Sequence, residues 1–325
     1  MTPTSGDDSR QRISLIVTVR NEVGSIDRLL ESIAHQTRPP DEVVIVDGGS
    51  TDATWQRLEA WTERLPLRLL REPGANIARG RNVGIAAATS ELIAVTDAGV
   101  RLAPDWLARL QAALSPDIDV VSGFFKADPS TVFERALGAT TLPAAADIQA
   151  EAFLPSSRSV LFRRAGWRCV GGYPEWLDYC EDVVFDLSLR RAGQRFAFEP
   201  TAIAWFRPRH SIVAFFRQYY LYARGDGKAG LWPRRHAARF AAYALATLLA
   251  ARRSRVTWLL LAGAAIYTRR PYQRLDLSGL SPVQTLWAVA LPPVIRGVGD
   301  VAKLLGYPVG VWWRLRAAWT SRSSS

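Results

Sequence analysis

Apolar runs of strand length alternate with amphipathic stretches through the first hundred residues. Ile13–Val19 (ISLIVTV) is a β-branched run. Val23, Ile26, Leu29, Leu30 and Ile33 then recur at helical spacing. Val43–Val46 reads as a second buried strand ending at Asp47-Gly48-Gly49-Ser50, and Thr51 or Asp52 is placed to cap a helix running towards Arg64. Leu67–Leu70 is a third strand, Ile77–Ala88 a helix, and Leu92–Val95 a fourth strand ending at Thr96-Asp97. Short apolar strands separated by helices predict an α/β domain with a mostly parallel sheet covered on both faces. In such sheets ligands bind beyond the carboxyl ends of the strands. Here those ends carry Arg20-Asn21-Glu22, Asp47 and Asp97.

The pattern loosens from Asp105 to Phe206. It predicts a helix near Trp106–Leu114, a strand at Val120–Phe125, an Ala- and Thr-rich stretch, and a strand at Ser159–Arg163. The loop Gly171-Gly172-Tyr173-Pro174 precedes Tyr179-Cys180-Glu181-Asp182, which opens a helix to about Arg191, closed by Gly193. Beyond Phe206 the apolar stretches Phe240–Ala251, Val256–Tyr267, Leu286–Ile295 and Val301–Trp313 are each shorter than the ~20 residues that span a bilayer. A spanning hairpin of the first two would put Arg252-Arg253-Ser254-Arg255 outside, against the positive-inside tendency. The reading is therefore of helices lying in a membrane interface, with one extended span from about Leu231 as the alternative.

Charge sharpens this division. From Arg207 onward there are 19 Lys and Arg against 3 Asp and Glu, a net of +16, whereas the preceding part carries −5. A basic, apolar tail predicts an anionic surface as partner. Nucleic acid would account for the charge but not for the apolar stretches, so no nucleic-acid partner is expected. The polar Met1–Arg12 segment has no apolar core of signal type, so the chain is expected to stay in the cytoplasm, at the inner face of the membrane. Two cysteines make no disulfide framework, and three His with two Cys make no metal cluster. Neither a P-loop nor a G-x-S-x-G elbow is present.

Several polar residues admit two readings. Asp47 before two glycines is either a turn residue or an acceptor for a nucleobase N–H. Asp97 is either a turn residue or a ligand for a cation on a diphosphate. Arg79 and Arg81 are either solvated or anion-holding groups near a helix start. Glu181 and Asp182 either complement a helix N-terminus or supply a general base, since that position favours the charged carboxylate.

Together these segments resemble a family 2 glycosyltransferase of the GT-A fold. Ser14–Glu22 (SLIVTVRNE) is similar to the family's opening strand, and Val44–Thr54 (VIVDGGSTDAT) to its V-D-D-G-S-T-D-x-T turn. Ala78–Gly84 (ARGRNVG) resembles its A-R-N-x-G helix start, Glu91–Leu107 its metal-motif segment, and Gly171-Gly172-Tyr173 with Cys180-Glu181-Asp182 its acceptor loop and base motif. The resemblance spans residues 12–206. It implies that Thr18 and Asp47 hold the nucleobase and ribose, with Arg20, Glu22 and Thr96 beside them in the donor site. It implies that Arg81, and less directly Arg79, approaches the diphosphate, that Asp97 binds Mg²⁺ or Mn²⁺, and that Asp182, next to Glu181, is the base of an inverting transfer.

Two departures matter. Gly48 replaces the second Asp of the turn, and Gly99 replaces the second Asp of D-x-D, which puts metal dependence in question. Arg207, Arg209, Arg224 or Lys228 would then supply positive charge. Gln218-Tyr219-Tyr220-Leu221-Tyr222 does not match the Q-x-x-R-W of processive members. The implied function is non-processive hexosyl transfer from a UDP- or GDP-sugar to a lipid-linked or glycan acceptor of the cell envelope. The competing reading is a non-catalytic GT-A-like scaffold. A nucleotidyltransferase would need a Gly- and Lys-rich loop, which Val19–Val23 does not offer. The implied organisation is a flexible 1–11, a catalytic 12–206, a connecting helix at 207–236, membrane-associated helices at 237–318 and a disordered 319–325.

Overall fold

A computed structural model of the protein describes residues 11–251 and 257–322. Eight strands form one sheet: β1 Ile13–Val19, β2 Glu42–Asp47, β3 Leu67–Arg71, β4 Leu92–Asp97, β5 Val100–Leu102, β6 Val120–Ala127, β7 Val160–Arg163 and β8 Phe196–Phe206. Their order is β3-β2-β1-β4-β7-β6-β8-β5. The pairs β3/β2, β2/β1 and β1/β4 are parallel, whereas β7 runs antiparallel to both β4 and β6. The sheet is therefore mixed: its first four strands are parallel as expected, and β7 adds the antiparallel part. The sequence cue was taken from the first four strands, and a later strand that returns antiparallel leaves no distinct mark on periodicity.

Helices are α1 Ile26–Ala34, α2 Thr54–Ala60, α3 Ile77–Ala87, α4 Trp106–Ala112, α5 Val132–Thr141, α6 Arg164–Cys169, α7 Glu181–Arg191, α8 Ile212–Ala229, α9 Pro233–Ala251, α10 Thr257–Arg274 and α11 Pro282–Arg322. By contacts the chain separates into two units. The first holds 1–125, 149–175 and 185–204; the second holds 126–148, 176–184 and 205–325. The segment carrying Glu181 and Asp182 thus belongs with the C-terminal helices, although in sequence it falls inside 12–206.

In the first unit, Ile13, Ile16 and Val17 of β1 and Val43–Ile45 of β2 are fully buried, as a strand covered on both faces requires. Helix α1 buries Ile26, Leu29, Leu30 and Ile33, one apolar stripe. Helix α3 starts with the Asn76 side chain accepting from the Arg79 N–H. It meets the sheet through glycines: a Cβ on Gly80 would lie 2.9 Å from Thr18 Cγ2, and one on Gly84 2.7 Å from Ile16 Cγ2. Helix α2 begins after Ala53, which offers no side-chain cap; Asp52 instead accepts from the Thr54 N–H at 3.0 Å.

In the second unit, Ala136, Leu137, Phe215 and Ile295 form a core with Phe133, Ile212, Tyr219, Leu291 and Val298 against it. Helix α5, unrecognised in the Ala- and Thr-rich stretch, is capped by Thr131. Helices α8 and α11 meet where Gly227 faces Tyr307 O and Gly310 faces Arg224 O, approaches a Cβ would block. The apolar stretches 286–295 and 301–313 are joined in α11, with Pro292, Pro293 and Pro308 inside it. Residues 319–322 are helical, against the expected disordered tail, whose last residues 323–325 lie outside those described. The proposed flexible segment 1–11, apart from Gln11, and the 252–255 arginine cluster also lie outside them. No helix among the described residues is long and apolar enough to cross a membrane, so the extended span from Leu231 is not observed there.

Candidate active site

Parallel register brings the polar strand ends together. Thr18 pairs with Asp97 across β1/β4, and Val19 with Asp47 across β1/β2. The two carboxylates therefore flank the end of β1, where the parallel strands stop and their loops leave the sheet.

Asp47 is 2% exposed, and its Oδ1 accepts from the Ser50 N–H at 2.9 Å and the Ser50 hydroxyl at 2.7 Å. It lines a cleft of about 310 Å³ with Ser50, Asp52, Trp55 and Arg71, the Arg71 guanidinium lying 4.0 Å over the Trp55 ring. The turn reading of Asp47 and its position at a cleft hold together. Asn21, at φ 56°, accepts from the Thr51 N–H at 2.8 Å, and the Asn21 N–H donates to Ser50 Oγ at 2.9 Å. The Glu22 N–H donates to Thr54 Oγ1 at 2.8 Å, while the Glu22 carboxylate accepts from Ser25. These bonds close the loop after β1 onto the turn after β2. Arg20 is exposed at that loop.

Asp97 is held by cations. Arg81 Nη2 lies 2.8 Å from its Oδ1, and Arg158 Nε 3.4 Å from its Oδ2. The Arg81 side chain is buried and lies 5.3 Å over the Tyr173 ring. A carboxylate between two guanidiniums, at a strand end, is a site that a diphosphate can enter by taking over arginine donors. Thr96 is fully buried and its hydroxyl donates to the Arg158 carbonyl at 2.8 Å, so it positions Arg158 rather than facing a ligand as expected. Arg79 is exposed and pairs with Glu72 at 2.6 Å.

Sequence reasoning missed Arg158 and Asn82. Asn82 Oδ1 accepts from the Tyr173 N–H at 2.8 Å and Trp167 Nε1 at 3.0 Å, and its Nδ2 donates to the Tyr173 carbonyl at 2.8 Å. It fastens the Gly171–Glu175 loop to α3; its place in ARGRNVG was the available signal. Arg158 carried none, lying in a stretch without periodicity.

In the second unit, Glu181 is buried and Asp182 half-buried at the first turn of α7, where the Val183 N–H donates to Asp182 Oδ1 at 2.8 Å. Arg207 pairs with the fully buried Glu134 at 2.8 Å, and Arg224 and Lys228 face Asp178 at 3.8 and 3.7 Å. These cations, nominated for the diphosphate, have carboxylate partners within their own unit.

Among the described residues no group of three or more His, Cys, Asp or Glu side chains converges as a metal centre. Asp97 alone fits a hard cation only in the mode where substrate phosphates and water complete the shell.

The strand order, with its switch between β1 and β4, defines a GT-A-like α/β fold, and Asp47, Arg81 and Asp97 stand at that switch. Residues 14–165 match the model of glycosyl transferase family 2. The chain is 29% identical over 244 residues to the succinoglycan biosynthesis protein ExoA of Rhizobium meliloti, covering 69% of this chain and 72% of that one. It is similar in fold to the mannosyltransferase PcManGT from Pyrobaculum calidifontis, solved with GDP-Man and Mn²⁺, at TM-score 0.62 and 22% identity over 91% of this chain and 88% of that one. It is similar also to S. aureus TarS 1-349, solved with UDP-GlcNAc, at TM-score 0.53 and 20% identity over 94% and 92%. Over residues 14–165 the chain is similar to the family 2 glycosyltransferases, and the solved structures it resembles share its fold.

Proposed function

We propose that this enzyme moves a sugar from a nucleoside diphosphate to a hydroxyl of a membrane-borne acceptor, lipid-linked or polysaccharide, with inversion and without processive polymerisation. The observation that carries the donor part is the Asp97 carboxylate between Arg81 and Arg158 at the end of β4. Asp47 takes the nucleobase side at the neighbouring strand end, with Thr18 between them. Arg81 and Arg158 neutralise the charge that grows on the departing diphosphate. Asp182 removes the proton of the acceptor hydroxyl as it attacks the anomeric carbon. A divalent cation, held by Asp97 and the diphosphate oxygens, would add Lewis-acid neutralisation when bound. The likeness to complexes holding GDP-Man with Mn²⁺ and UDP-GlcNAc supports this donor class.

The membrane part is supported by exposed apolar residues at helical spacing along α11: Val283, Trp287, Val294, Val301, Leu305 and Trp312. They stand on a region of strong positive charge. The cytoplasmic face is the expected location, since that is where anionic lipid meets basic segments.

The test is release of nucleoside diphosphate from a panel of UDP- and GDP-sugars by wild type and Asp182→Asn. Loss of turnover with retained UDP or GDP binding is expected; near-wild-type turnover overturns the base assignment. Flotation with anionic and neutral vesicles tests the membrane reading, which fails if the protein sediments free of lipid at every composition.

A further inference from the structure

The residues 176–182, just before and including the candidate base, are fastened to the C-terminal helices at four separate points. The Trp176 ring lies parallel to that of Trp313 on α11, 2° between planes and 5.9 Å between centroids, and Lys228 Nζ of α8 sits 4.7 Å from the same Trp313 ring. Asp178 faces Arg224 and Lys228 of α8 at 3.8 and 3.7 Å. The Tyr179 ring meets Tyr222 edge-on at 5.9 Å. The Cys180 thiol donates to the Tyr222 carbonyl at 3.3 Å and approaches Asp226 Oδ1 at 3.5 Å.

Cys180 stands at φ 65°, a left-handed conformation that a side-chain-bearing residue keeps only where its surroundings impose it. Burial, with Asp226 and Asp182 nearby, pushes its thiol far above the usual range, so it serves as a neutral donor. What lets the segment come so close is Gly225. A Cβ there would lie 2.6 Å from the Tyr179 carbonyl oxygen and 3.0 Å from Cys180 Sγ.

We infer that α8 and α11 form a clamp that positions Asp182, with Gly225, Trp313 and Asp178 as positioning residues for the transfer step. The C-terminal helices are then part of the catalytic apparatus, whatever surface they also bind. The clamp sets the backbone at Tyr179 and Cys180, and through it the direction in which the first turn of α7 presents its carboxylate. A side chain that must meet a hydroxyl at ~2.6–3.2 Å tolerates little displacement, and misplacement of about 1 Å costs roughly a hundredfold in rate.

The role rests on the assignment of Asp182 as base, so the experiment carries both. Wild type, Asp182→Asn, Gly225→Ala, Trp313→Ala, Trp313→Phe and Asp178→Asn are compared in the full chain. The readouts are nucleoside diphosphate release from the donor panel, calorimetric binding of UDP and GDP, and amide exchange across 176–184. Ala is a better helix former than Gly, so Gly225→Ala does not weaken α8 itself.

The expected result is a fall in kcat of about tenfold or more for Gly225→Ala and Trp313→Ala, a smaller fall for Asp178→Asn, and recovery with Trp313→Phe. UDP or GDP affinity stays within twofold, and exchange in 176–184 quickens while 13–97 is unchanged. Activity within twofold of wild type in Gly225→Ala and Trp313→Ala, with Asp182→Asn inactive, overturns the clamp. An active Asp182→Asn overturns the base assignment and the positioning role with it. Loss of nucleotide binding in the clamp variants, in parallel with kcat, shows general unfolding and also overturns it.

Discussion

Replacing Gly84 by Ala tests whether α3 holds the donor site by its closeness to the sheet. The added Cβ would lie 2.7 Å from Ile16 Cγ2 and 3.3 Å from Val46 Cγ2. Ordinary carbon contacts sit near ~3.5–4.0 Å, so the helix and strand must part by about 1 Å. Ile16 is fully buried in a strand paired on both sides, and its branched side chain has few rotamers to move to. The strain falls on α3. Overpacking of this kind costs about 1–3 kcal/mol. Ala regains up to about 1 kcal/mol of helix propensity over Gly. The net loss is then up to about 2 kcal/mol, or up to roughly 8 °C in Tm for a domain of this size.

Arg81 sits on the same helix within one turn, its guanidinium 2.8 Å from Asp97. A retreat of α3 by about 1 Å, the gap the contact distance demands, takes that pair beyond hydrogen-bond reach. Nucleotide affinity should therefore fall together with Tm. Thermal unfolding gives the first quantity and UDP or GDP calorimetry the second. Gly24→Ala is the control, because nothing lies within 4 Å of its added Cβ; its Tm should be unchanged or slightly raised. A Gly84→Ala protein as stable as wild type, with unchanged affinity, would falsify the packing argument.

Three further outcomes are expected. Arg158→Ala should weaken nucleoside diphosphate binding by about tenfold, a loss near 1.4 kcal/mol, with little change in Tm, since its pair with Asp97 is 25% exposed on both sides; calorimetry and a melting curve check both. Gly99→Asp enters open space, with nothing within 4 Å of its Cβ, and should make binding of UDP or GDP more dependent on Mn²⁺; an identical Mn²⁺ response in both proteins refutes it. Asp300, buried on α11, receives Tyr267 OH at 2.6 Å, Tyr243 OH at 3.0 Å and Arg239 Nε at 2.9 Å. Burial pushes its carboxyl up, but these hydroxyls with Lys303 and Arg239 outweigh that and hold it below its usual value. Its contribution is present above the unfolded carboxyl pKa and is lost as pH falls through the lower folded value. Asp300→Asn should cost about 3 kcal/mol near neutral pH, and its Tm deficit should shrink in acid; a deficit that does not change with pH counts against the network.

The sequence alone determined the first four strands, α1 and α3, because burial on both faces of a parallel strand and on one face of a helix leaves a local period of apolar residues. Asp47, Arg81 and Asp97 were legible for the same reason: strand ends and helix starts are where ligands meet such sheets, and the resemblance in residues 12–206 gave those ends their roles. Tertiary structure decided what depends on distant partners. Strand β7 pairs antiparallel between β4 and β6, Arg158 reaches Asp97 across 61 residues of chain, and Thr96 turns inward to fix it. The same holds for the proposed base. Glu181 and Asp182 were legible as the opening of a helix, yet the 176–184 segment makes its contacts with α8 and α11, more than forty residues on. Those contacts depend on the missing side chain of Gly225 and on ring planes meeting in space. Neither leaves a period in the sequence, because packing between distant elements is satisfied by shape, which a local pattern does not encode.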